Sequence, residues 1–276
     1  MIPPREHLSN ASWRGGRGGP GPGFADVHCH CLAGLDDGPA GRIESLALCR
    51  ALAADGIETV VATPHQLGRF EGRYGVSTIR EAVGQLNRSL ADAGISLSIL
   101  PGADVRLDER IPQLLQSDAV LTVADGRRYL LLELPHEVFI DPRALLPELA
   151  SMGVTAVVTH PERHMHLARN PETVQRWAEY NPCLQLTAGS FGGGFGRLAQ
   201  EAAWTFALAP MPILVATDAH DTSGRAPRMS EAYRLLTQRL GRTVADILCV
   251  ENPRRAVEGE DLLMLSRDDM PREIAR

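Results

Sequence analysis

The chain has 276 residues, 44% of them hydrophobic, and a formal net charge of -6; it is large enough for one sizeable core and has no bulk attraction for nucleic acid or anionic lipid. No apolar run reaches the roughly 18 residues of a membrane span, and the N-terminus lacks the core of a signal peptide, so a cytoplasmic protein is expected. All 28 basic residues are arginine, which excludes a Schiff-base lysine, a lysine nucleophile and the lysine-derived carbamate that bridges two metals in some barrel hydrolases.

Residues 1–23 are rich in Gly, Pro and Arg and carry no apolar periodicity. They read as a disordered N-terminal extension, which leaves His7 without a claim as a ligand. From residue 24 to 276 a single domain is expected. Strand-like runs at FADVHC, TVVAT, LSILPG, YLLLEL, AVVTH, CLQLT and ILVATD alternate with stretches of helical period such as IESLALCRALAADG, IREAVGQLNRSLADAG and MSEAYRLLTQRLG. Gly56, Gly94 and Gly153 each stand between a helical run and the next strand, the place of a left-handed glycine that ends a helix. This βα repetition without a change of composition predicts an α/β fold closed as a parallel (β/α) barrel.

Candidate metal ligands sit at or just past the ends of those runs. DVHCH presents His28 and His30 two apart, hence on one face of a strand, and TDAH does the same for Asp218 and His220. His65 follows ATP, Asp104 ends GAD, and His160 follows AVVT. Glu133 ends an apolar run buried on both faces, where an unpaired carboxylate is costly; it must meet either an arginine or a metal. The C-terminal ends of several strands are where barrel enzymes build their sites. His164 and His166 in ERHMHL imitate the H-x-H spacing and read as a surface decoy. Arg163 and Arg225 follow two of the ligand motifs and suggest planar forks for phosphate oxygens. The glycine-rich SFGGGFG is read as a plain loop rather than an anion cradle.

Cys29 and Cys31 alternate with the histidines of DVHCH and therefore face away from them. The five cysteines read as packing thiols of a reducing compartment, with no thiol-phosphatase signature among them.

The order of these motifs resembles the polymerase and histidinol phosphatase (PHP) superfamily, and within it the capsule-biosynthesis tyrosine phosphatases of the CpsB type. LDDGP soon after DVHCH, then THPER, LTAGS, the TDAHDTSGRAPRM run and a late ENPRRAV carry the resemblance from Phe24 to about Val257. It implies a distorted seven-stranded (β/α) barrel with three divalent metals, often manganese, with iron or zinc as alternatives. By motif, one metal falls to His28, His30, Asp104 and Asp218, a second to Asp104, Glu133 and His160, and a third to Asp37, His65 and His220. Arg163 and Arg225 become the phosphate-binding arginines. Asp104 stands where the family carries glutamate. It is shorter by about 1.5 Å, so bridging two metals requires a closer approach of the backbone.

The resemblance implies hydrolysis of phosphotyrosine on a protein, with the tyrosine-rich tail of a bacterial tyrosine kinase controlling capsular or exopolysaccharide synthesis as the partner. The alternatives are a small-molecule phosphomonoesterase of the same superfamily, acting on histidinol phosphate or a nucleotide, and a metal-binding interaction domain in which Asp104 has impaired turnover. A nuclease is disfavoured by the acidic balance and the absence of a basic, aromatic-interleaved stripe.

Overall fold

The computed structural model describes residues 23–269; apart from Gly23, the N-terminal extension expected from the sequence lies outside them. Nine parallel segments follow in chain order: β1 (Phe24–Cys29), β2 (Ile57–Ala62), β3 (His65–Gln66), β4 (Ser98–Pro101), β5 (Asp104–Arg106), β6 (Tyr129–Glu133), β7 (Thr155–Thr159), β8 (Cys183–Thr187) and β9 (Ile213–Ala216). They pair as β1-β2-β4 and as β3-β5-β6-β7-β8-β9.

Two interruptions account for the division. Pro64 has no N–H for the ladder and separates β2 from β3, which run on as the two halves of one strand, and Gly102 and Ala103 separate β4 from β5 in the same way. A Cβ on Gly102 would lie 2.5 Å from Val61 Cγ1, so only glycine passes there. At the other edge, Cys29 bridges Ala219 in parallel just beyond β9. His30 N donates to Ala219 O at 2.9 Å, and Asp218 N donates to His28 O at 2.7 Å. With the split strands counted once each, the pairing runs from β1 around to β9 and back to β1, a closed ring of seven strands.

The strands are buried because helices cover their outer faces, as parallel sheets require. A large cluster of buried apolar residues fills that outer layer, including Leu48 and Leu52 of the helix Arg42–Ala54 and Ile79, Leu86 and Leu90 of the helix Val76–Asp92. A smaller cluster, with Val61, Leu131, Val157, Cys183, Leu214 and Ala216, fills the ring interior. The period of two then lifts a different residue type above four of these floor residues: Leu131 leads to Glu133, Val157 to Thr159, Cys183 to Gln185 and Ala216 to Asp218. β1 departs from the alternation. Val27 joins the interior cluster although His28 belongs to the site, and its register with β2 slips between Asp26 and Cys29.

Gly56, Gly94 and Gly153 have positive φ (88°, 63° and 74°), as expected of glycines that close helices. Cys29 and Cys31 are fully buried in the outer cluster, on the side away from the neighbouring histidines. All five cysteines are free and buried. Among the described residues, no helix is long and apolar enough to cross a membrane.

Candidate metal centre

Two site residues follow their strands through a left-handed backbone turn: His160 has φ 36° and Asp218 φ 51°. Non-glycine residues avoid this region unless the surroundings hold them there, and such outliers concentrate at functional sites. At Asp218 the holding contacts come from Asp26, buried below, whose carboxylate accepts from Thr217 N at 2.9 Å and from the Thr217 hydroxyl. Burial is the main reason why the Asp26 carboxyl is raised to about 7.

All the candidate ligands singled out in the sequence meet at this end of the ring. Ligand atoms of His30, Asp37, His65 and His220 lie within 4.8 Å of one another, as do those of His28, His30 and Asp104, of His28, His160 and Asp218, and of His65, Asp104 and Glu133. Asp37 Oδ1 is 3.4 Å from both His65 Nε2 and His220 Nε2. Asp218 Oδ1 is 3.4 Å from both His28 Nε2 and His30 Nε2. Asp104 Oδ2, despite the shorter side chain, is 3.5 Å from His28 Nε2 and 3.5 Å from His65 Nδ1.

Several of these atoms lack what burial normally demands. Asp104 Oδ2, His65 Nδ1 and His220 Nε2 are buried without a hydrogen-bond partner of good geometry. Each such orphan costs about 1–3 kcal/mol, and native interiors hold few of them. Divalent cations at more than one position would give such atoms partners, and the donor set of imidazole and carboxylate suits zinc, manganese or iron. The residues present therefore fit a metal centre.

Electrostatics divide the ligands. Burial pushes His28 down to about 3 and His220 to about 4, and, with Arg163 beside it, holds His160 well below the usual range; these imidazoles are neutral and able to ligate. At His30 burial also disfavours charge, but the Asp36 and Asp218 carboxylates overcome it and raise the group to about 10. Burial and the neighbouring Glu133 carry Asp104 well above the carboxylate range. Asp218 resists burial because His28 and Arg163 favour its anion.

Arg163 and Arg225 both reach Asp218 Oδ2, Arg163 through Nη1 and Arg225 through Nη2 at 2.6 Å. One oxygen of Asp218 thus faces the histidines and the other faces the arginines. Arg163 also lies over the Phe195 ring, 4.4 Å from its centroid, and Arg225 Nε is buried without a partner. The recess beside them is lined by Gly189, Gly194, Phe195, Asp218, Arg225 and Arg228. Within the glycine-rich segment, the N–H groups of Gly193, Gly194 and Gly196 go to Ser190, Gly189 and Gly193 carbonyls, so the plain-loop reading holds for them.

Three neighbours escaped the sequence reading. Gln185 Oε1 lies 2.8 Å from His28 Nδ1 and accepts from His160 N at 3.3 Å. Asp36 lies 2.6 Å from His30 Nδ1 and accepts from His65 N at 3.1 Å; its signal was the LDDGP pair, of which only Asp37 was singled out. His136, three residues after Glu133, has its Nε2 3.3 Å from Glu133 Oε1. The decoy pair lies apart from these groups, although His164 is buried rather than at the surface: its Nε2 meets Pro135 O at 2.9 Å, and His166 stacks on Phe139.

One expectation needs correction. Cys249 and Arg255 do have the C-x5-R spacing of thiol-dependent phosphatases. The structure removes them from that chemistry: Cys249 is fully buried in the helical turn Ile247–Glu251, burial pushes its thiol far up, and Arg255 pairs with Glu260 at 3.2 Å.

The profile described as capsular polysaccharide synthesis, CpsB/CapC, matches residues 24–258. Tyrosine-protein phosphatase YwqE of Bacillus subtilis is 32% identical over 218 residues, 78% of this chain and 85% of the relative. Tyrosine-protein phosphatase CpsB of Streptococcus pneumoniae is 28% identical over 239 residues, 84% of this chain and 97% of the relative. A solved structure from work on YwqE of B. subtilis and CpsB of S. pneumoniae, described as unique metal-dependent tyrosine phosphatases, superposes with a TM-score of 0.82 at 30% identity, covering 88% of this chain and 97% of that one. A β-aspartyl dipeptidase of Fervidobacterium islandicum shares the fold alone, with a TM-score of 0.51 at 15% identity.

Proposed function

The chain belongs to the CpsB/CapC family of capsular polysaccharide synthesis, and from that premise we propose that it is a metal-dependent protein-tyrosine phosphatase. The observation that carries the reading is Asp218, whose two oxygens join a buried imidazole cluster to a pair of arginines. Such a junction places positive charge around a phosphoryl group from two sides.

We assign three divalent metals, manganese by preference. The first would be held by His28, His30, Asp104 and Asp218, the second by Asp104, Glu133 and His160, and the third by Asp37, His65 and His220. Bound metals supply Lewis acidity and lower the pKa of water toward neutrality. The protein's own groups do the rest. Arg163 and Arg225 turn their planar donors to the phosphate oxygens and stabilise the charge that spreads over them in the transition state. Asp36 and Gln185 orient His30 and His28 by accepting from Nδ1, which leaves Nε2 free to ligate. The orphaned Nε–H of Arg225 is a donor left for the substrate.

The substrate class follows from the relatives, named for tyrosine phosphatase activity, and the partner we propose is the tyrosine-rich tail of a bacterial kinase that controls capsule or exopolysaccharide production. The free, buried cysteines support a reducing, cytoplasmic setting. The test compares phosphate release from a phosphotyrosine peptide and from histidinol phosphate under one metal load. Turnover confined to the peptide supports the reading. Preference for histidinol phosphate assigns the chain to small-molecule metabolism instead.

A further inference from the structure

We propose that His136 is a metal ligand in this chain, completing with Glu133 and His160 a coordination group at the solvent edge of the site; the inference rests on the reading above that divalent metals bind here. Ligand atoms of Glu133, His136 and His160 lie within 4.8 Å of one another, whereas no such group among the described residues joins Asp104 to His160.

The reason lies in how the two carboxylates are committed. Asp104 Oδ1 accepts from the Thr159 hydroxyl at 3.2 Å. Its other oxygen is 3.5 Å from His28 Nε2 and from His65 Nδ1 but 3.9 Å from His160 Nε2. Oδ1 is thus engaged by Thr159, and Oδ2 lies nearer to His28 and His65 than to His160. Glu133 is divided differently. Its Oε2 faces His65 Nδ1 at 3.7 Å and Arg106 Nη1 at 3.1 Å, while Oε1 faces His136 Nε2 at 3.3 Å. The longer carboxylate thus reaches both sides of the site, and His136 adds an imidazole beside His160, where Asp104 approaches less closely.

The ring of His136 lies 17° from parallel to that of His160, with centroids 5.5 Å apart. Two imidazoles and one carboxylate, with the His136 side chain 42% exposed, make a three-ligand set with positions open toward solvent, the form that a reacting metal site takes. The alternative is an i,i+3 contact between half-exposed His136 and buried Glu133 that has no influence on metal binding. The two readings part on metal affinity.

The test uses the full chain, stripped with chelator and titrated calorimetrically with Mn(II), alongside proton NMR of the Co(II)-loaded protein. His136→Ala and the double variant His136→Ala/Asp104→Glu are compared with the wild type, with circular dichroism confirming the fold. Loss of 10-fold or more in affinity at one site, one exchangeable imidazole resonance missing from the Co(II) spectrum, and recovery of affinity in the double variant support the assignment. Unchanged affinity and an unchanged resonance count in His136→Ala overturn it while leaving the phosphatase reading intact. A wild-type protein that takes up no divalent metal overturns both.

Discussion

Gln185 stands in the middle of the apolar run CLQLT, fully buried, and the oxygen of its side chain serves both His28 Nδ1 and His160 N. Replacing it by leucine keeps the volume but leaves His28 without the partner that fixes its tautomer and ring orientation. Metal affinity of Gln185→Leu should fall about 10–100-fold, measured by calorimetric titration of the stripped protein. Arg163→Lys should keep the charge and lose the fork, with kcat/KM on a phosphotyrosine peptide lower by about 10²-fold. The candidate ligands were conspicuous in the sequence as imidazole and carboxylate at the end of apolar runs. Their supporting partners were not. A glutamine in a strand or one aspartate of a pair says nothing about which atom it faces until the ring has closed.

The loop after β1 carries Asp36 and Asp37 into the site, and Gly38 ends that stretch because nothing larger fits. A Cβ there would lie 2.3 Å from the carbonyl oxygen of His30, far inside contact distance, against backbone that is pinned by its bond to Ala219 O. Gly38→Ala must therefore move the loop, pulling Asp36 from His30 Nδ1 and Asp37 from His65 and His220 together. The expected outcome is weakened metal binding at the Asp37 group with little loss of helix signal, read by titration and circular dichroism. The strands themselves announced their positions through apolar runs and glycines that close helices. Their interruptions did not: Pro64 and Gly102 read as strand ends, whereas the structure makes each a break within a strand, after which His65 and Asp104 resume the ladder in register with each other. A break of this kind depends on what the neighbouring strand places beside it, Val61 of β2 in the case of Gly102, and local sequence does not contain that.

At the scale of the whole molecule, closure concentrates Asp37, Asp104, Glu133 and Asp218 at one mouth of a protein whose net charge is already -6. Without metals this mouth holds orphaned buried atoms and carboxylates that repel one another; with the three proposed divalent ions bound, the local charge would reverse and attract phosphate. Binding to the folded state alone adds about 2.7 kcal/mol at a free metal concentration 100 times Kd, which corresponds to a Tm rise of about 5 °C for a chain of this size. Differential scanning calorimetry with manganese against chelator checks this, and equal Tm values would count against a preformed centre. The barrel was legible from seven βα repeats, while the contact of β1 with the end of β9 that brings His28 and His30 against Asp218 joins residues some 190 positions apart and leaves no local trace.

The most direct test of metal-centred phosphatase chemistry is phosphate release from a phosphotyrosine peptide, measured on protein stripped by chelator, on the same protein reloaded with manganese, and on reloaded protein treated with a thiol alkylator. The metal-centred reading predicts no turnover after stripping and recovery on reloading, and the burial of all five cysteines predicts activity that survives alkylation. Turnover by the stripped protein, or its abolition by alkylation of the folded enzyme, would contradict the account.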